Sequence, residues 1–72
     1  MSFNYRKLRG KIVEVFETQG NFAVAMELSE RTISLKLQGK IYFNQGEILR
    51  AASLLGVSEN EIPLYFFTED VS

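Results

Sequence analysis

The chain contains no cysteine, no histidine and no tryptophan, and a single proline. Without thiols or imidazoles there is no cysteine nucleophile, no histidine base, no zinc-finger ligand set and none of the usual catalytic triads, so an enzyme is not expected. The lack of cysteine also fits a reducing compartment. No apolar run approaches the ~20 residues of a membrane span, and Met1 through Lys7 holds no apolar core of signal-peptide length. A cytoplasmic protein that does not associate with membranes is expected. The acid pairs Glu59/Glu61 and Glu69/Asp70 sit on a turn and near an end, without the converging ligands of a cation site, so no metal or cofactor is expected.

What is present is enough for one small core. Of 72 residues, 46% are hydrophobic and six are phenylalanine, and a chain of this size buries roughly 60% of its unfolded surface. Residues 1–72 read as a single domain, with 63–72 an aromatic and then acidic tail. Charge is divided unevenly. Residues 1–40 hold seven basic groups against four acidic ones, and residues 41–72 hold Arg50 alone against five acids. A basic front and an acidic back suit a domain that offers one half to phosphate and the other to a protein.

The apolar spacing is helical throughout. Tyr5, Leu8, Ile12, Val15 and Phe16 recur three and four apart, with Asn4 able to accept an N–H of the first turn and Gly10 weakening the helix. Thr18 caps a second helix over 19–26, in which Phe22 and Met26 lie one turn apart and Ala23 permits close packing at a steep angle. Ser29 caps a third helix over 30–38, with Ile33 and Leu37 facing inward and Gly39 a left-handed stop. Asn44 with Glu47 forms a capping box ahead of a fourth helix carrying Ile48, Ala52 and Leu55, which Gly56 ends. Ser58 with Glu61 repeats the box before Ile62, where Pro63 limits the next helix to about a turn. The fold class expected is all-α, with four to five helices and a helix-turn-helix at residues 18–38.

In a helix-turn-helix the second helix enters the major groove, so its leading edge must be polar and its underside apolar. Residues 30–36 meet that requirement. Arg31 is suited to guanine O6 and N7, Glu30 to the cytosine N4 amine, and Thr32 and Ser34 to base or phosphate. Lys36 and Lys40 are placed for phosphate, as is Gln19 at a helix start. Leu35 suits either a thymine methyl or the edge of the core.

Thr18-Gln19, Phe22-Ala23, Met26, Leu28-Ser29, Thr32-Ile33-Ser34, Gly39-Lys40, Ile48-Leu49 and Leu54 through Val57 together resemble the lambda-repressor-like family of phage Cro proteins and repressors. The stretch SERTISLKLQGK, with an aromatic and Q-x-E-I after it, is similar to small phage or prophage regulators of Gram-positive bacteria. That resemblance implies a sequence-specific transcriptional regulator binding a double-stranded DNA operator, usually as a homodimer. It implies base reading by Glu30, Arg31, Ser34 and Leu35 and backbone contacts by Gln19, Thr32, Lys36 and Lys40. Where such proteins often carry glycine in the bend, this chain has Glu27, and a left-handed conformation there costs about 1–2 kcal/mol. Ile62, Leu64, Tyr65, Phe66 and Phe67 are either a homodimer surface or the last piece of the monomer core. The alternative function is a protein-interaction module, an anti-repressor or regulatory subunit on the same fold that acts through its acidic half without binding DNA.

Overall fold

The computed structural model describes residues 3–69; Asp70, the last acid of the expected tail, lies outside the described residues. Five helices form: α1 (Arg6–Phe16), α2 (Gln19–Met26), α3 (Glu30–Leu37), α4 (Gln45–Leu55) and, after a 3-10 turn at Glu59–Glu61, α5 (Ile62–Phe66). The chain is all-α, as its periodicity implied. One antiparallel bridge, Phe3 with Glu69, is the sole extended pairing among the described residues.

The helices meet on one apolar cluster in which Phe22, Phe66, Leu8, Ile12 and Ile33 are fully buried. Ala23 is buried where α2 crosses its neighbours, so a larger side chain there would hold the backbones apart. The α1 stripe departs from expectation at its end. Val15 is 42% exposed, whereas Phe16 turns inward and its ring lies 5.5 Å from that of Phe22. A helix advances about 3.6 residues per turn, so the buried face beyond Leu8 and Ile12 drifts onto residue 16.

Capping residues define the ends. Thr18, Ser29 and Asn44 each accept an N–H from the third residue of the helix they precede, and Glu47 returns a bond to the Asn44 N–H at 2.9 Å. Gly39 and Gly56 take left-handed φ of 79° and 70°. Each closes a paired carbonyl motif, with Lys40 N–H on Leu35 O at 3.0 Å and Val57 N–H on Ala52 O at 2.9 Å. The α1–α2 junction holds a feature with no sequence signature. Glu17 has φ 70° and ψ −42°, and Thr18 N–H reaches back to Phe16 O at 2.8 Å, a tight γ-turn carried by a non-glycine residue.

The two ends of the described chain are joined. Asn4 N–H donates to Thr68 O at 2.6 Å. Rings then succeed one another edge to face: Phe67 on Phe3 at 5.8 Å, Phe3 on Tyr5 at 6.3 Å, Tyr5 on Phe43 at 5.6 Å and Phe43 on Phe66 at 5.4 Å. Each such pair adds about 0.5–1.5 kcal/mol beyond the area it buries. Tyr65 and Phe66 are buried, so of the two roles open to the aromatic tail these two rings take the second, completing the monomer core, and are not available for a homodimer surface.

Gly10 sits in the middle of α1 with open space where a Cβ would be. Gly10→Ala is expected to stabilise the chain by about 0.5–1 kcal/mol, read as a rise in the thermal midpoint with no change in circular dichroism at low temperature.

Candidate functional site: the α2–α3 face

The bend between α2 and α3 is built on Glu27, at φ 59° and ψ 37°. Its N–H bonds Val24 O and the Leu28 N–H bonds Ala23 O, both at 3.0 Å, so the chain makes a glycine-type helix stop with a glutamate. Arg50 of α4 braces it: the guanidinium pairs with the Glu27 carboxylate and reaches Ala25 O at 3.4 Å. The pair is exposed, worth at most about 1 kcal/mol, enough to offset part of the backbone cost.

α3 carries most of the residues expected to touch DNA, and its surface is less open than its sequence suggests. Lys36 is 7% exposed. Its Nζ lies 2.8 Å from Glu47 Oε1, donates to Tyr42 O at 2.8 Å and stands 5.7 Å from the centre of the Phe43 ring. Lys36 is therefore a structural cation inside the molecule and not a phosphate contact. At its position on α3 the flexible stem runs along the apolar wall and brings the ammonium to the first turn of α4. Burial pushes the Glu47 carboxyl up, but hydrogen bonds from Lys36 and Asn44 outweigh it and hold the group below the usual carboxylate range.

Glu30 also turns back. Its carboxylate oxygens lie 3.5–3.6 Å from where a Cβ on Gly20 would stand, beside the first turn of α2, where a negative charge is favoured by unpaired N–H groups. Ser34 Oγ accepts from Gln38 Nε2 at 2.9 Å, and Thr32 Oγ1 accepts from Ser29 Oγ at 2.8 Å. Leu35 and Gln19 are half-buried. Arg31 and Lys40 are exposed.

The basic front is similarly engaged. Lys7 lies 5.3 Å from the centre of the Tyr65 ring, Arg9 donates to Leu37 O at 3.2 Å, and Lys11 pairs with Glu14 at 2.9 Å. With Lys36 buried, only Arg6, Arg31 and Lys40 of the seven front cations have no intramolecular partner among the described residues. Three dispersed cations form a thin electrostatic footprint for a polyanion. Sequence reasoning missed Glu47 and Tyr42 as the partners of Lys36, and Arg50 as the partner of Glu27; no local pattern marks pairs separated by a loop or a helix.

Fold and face together define a small all-helical domain built around a braced two-helix corner, five of whose eight basic side chains have a partner within the molecule. The chain belongs to the family described as Protein of unknown function (DUF739), which matches residues 1–69. It is similar to the modulator of repression (MOR) of the temperate bacteriophage TP901-1 from Lactococcus lactis, known from a solution structure. The two chains are 50% identical, with a TM-score of 0.82, over 100% of this chain and 97% of that one. No curated protein matches the chain. The phage context expected from the sequence stands at that level. The expectation of an operator-binding regulator does not: the chain is half identical over its whole length to a modulator of repression, and the alternative of an interaction module is favoured.

Removing one member of the Lys36–Glu47 pair leaves a charge stranded against apolar side chains. Lys36→Met is expected to destabilise by about 3 kcal/mol, and the double variant Lys36→Met/Glu47→Leu by much less, in urea unfolding. The low Glu47 pKa stabilises the fold fully above the unfolded carboxyl value near ~4.3 and progressively less as pH falls through the folded value. Glu47→Gln should therefore flatten the acid limb of a stability–pH profile while lowering stability at neutral pH. At the bend, Glu27→Val places a β-branched residue at positive φ and is expected to cost more than about 1 kcal/mol, whereas Glu27→Gly is expected to stay within about 1 kcal/mol of the parent.

Proposed function

We propose that this chain regulates a phage or prophage repressor by binding the repressor protein, and that it acts by binding alone, without catalysis. The observation that carries this reading is the 50% identity, spanning the whole chain, to a phage modulator of repression. Two features support it. Residues 41–72 carry five acids and one arginine, a balance that repels phosphate and attracts a basic protein surface. Of the seven basic groups in residues 1–40, four are engaged within the molecule: Lys36, on the α3 face, by Glu47 and Tyr42, and Lys7, Arg9 and Lys11 of α1 by Tyr65, Leu37 and Glu14.

The test uses the repressor of the phage or prophage that carries this gene. Titration calorimetry is expected to show the chain binding that repressor, and gel mobility to show the chain altering the repressor's occupancy of its operator. The chain alone is expected to leave duplex operator DNA unshifted at both low and physiological salt. Binding of the chain alone to the operator, with affinity falling steeply as salt rises, together with no heat on mixing with the repressor, would overturn the reading.

A further inference from the structure

A groove lies away from the α2–α3 corner. α4 and α5 leave between them a cleft of about 370 Å³ lined by Gln45, Ile48, Leu49, Ile62 and Phe67. Ile48 and Ile62 are half-buried and rest on the core, so the floor is fixed. Leu49 and Phe67 stand at the edges with 53% and 47% of their surface exposed. Phe67 is held edge to face by Phe3, and the next residue is pinned by the bond from Asn4 N–H to Thr68 O. The groove is thus preformed, which lowers the ordering cost of filling it.

Its electrostatic setting selects the occupant. The segments that build and flank it, residues 45–69, hold Glu47, Glu59, Glu61 and Glu69 against Arg50. Lys36 neutralises Glu47, and Arg50 is paired with Glu27. Glu61 accepts from the Ser58 N–H and Oγ, which hold its carboxyl below the usual carboxylate range. Glu59 and Glu69 have no ion-pair partner among the described residues. An apolar slot with unpaired carboxylates on its flanking segments opposes a nucleic acid and opposes a second copy of itself, since either would bring negative charge toward negative charge. It suits an amphipathic helix laid in a groove, with an apolar stripe and basic flanks.

We propose that the α4–α5 groove is the surface that engages the repressor, taking one amphipathic helix of that protein with its apolar stripe between Leu49 and Phe67 and its Lys or Arg side chains toward Glu59 and Glu69. This assignment rests on the proposed function and adds to it a place and a partner chemistry. Gln45 lines the groove wall, and its side-chain amide can bond a polar group of the incoming helix.

The experiment is calorimetry of the full-length chain with the repressor, comparing the parent with Leu49→Lys, Glu59→Lys and Val24→Ser. All three positions are exposed, Val24 lying on α2 at 77%, and each variant is first checked for an unchanged circular dichroism spectrum. Leu49→Lys is expected to weaken binding about tenfold or more. Glu59→Lys should weaken it less and reduce its salt dependence, and Val24→Ser should bind as the parent does. A parent that binds while Leu49→Lys binds equally well overturns the groove and leaves the proposed function intact. A parent that does not bind overturns both. Self-association of the chain that Leu49→Lys abolishes, seen by sedimentation, would give the groove to a second copy and overturn the assignment.

Discussion

The ammonium of Lys36 holds together three parts of the chain that have no covalent reason to meet. It anchors the last turn of α3 to the first turn of α4 through Glu47, and it captures the Tyr42 carbonyl of the connector between them. A charge buried this deeply is tolerated only when its hydrogen-bonding capacity is met, and two acceptors and an aromatic face meet it here. The connector cannot drift while that carbonyl is held. Phe43 comes next and enters the core, where it touches both Tyr5 and Phe66 and so links the chain's two ends. The Asn44–Glu47 capping box belongs to the same device, since Glu47 Oε1 serves the cap and the ion pair at once.

That arrangement has a functional cost. A lysine that secures the fold is not available to phosphate, and Glu30, leaning toward Gly20, is not extended toward a base. Lys7, Arg9 and Lys11 are similarly occupied. The helix-turn-helix pattern is present in the sequence, but Lys36 is turned inward and Glu30 leans on α2, while Arg31 and Lys40 stay exposed. This is consistent with the chain's similarity to a modulator of repression, since a shared fold does not by itself fix function.

The aromatic residues divide in the same way. Tyr65 and Phe66 close the core, whereas Phe67, one position later, remains half exposed beside the α4–α5 groove. α5 has only five residues, so a single turn decides which rings face in. A chain of 72 residues must use such end segments for its core because its interior is small relative to its surface.

Helix positions, the caps at Thr18, Ser29 and Asn44, the stops at Gly39 and Gly56, and the inward side chains Leu8, Ile12, Phe22, Ile33, Leu37, Ala52 and Leu55 were all readable from spacing and residue type, because each depends on neighbours within about four residues. The left-handed Glu27 was foreseeable only as a conflict; the brace from Arg50, 23 positions away, was not. The γ-turn at Glu17 and the inward course of Lys36 had no local signal either. A lysine on a short polar helix reads as solvent-facing until the fold brings a carboxylate to it. Residue order alone was enough for an all-helical chain, since helix periodicity and capping are local and additive, and the phage context came from the family resemblance carried by the α2–α3 residues. Which charges face outward was left to the packing of the helices, because charge pairing depends on distances between segments that a linear string of residues does not contain.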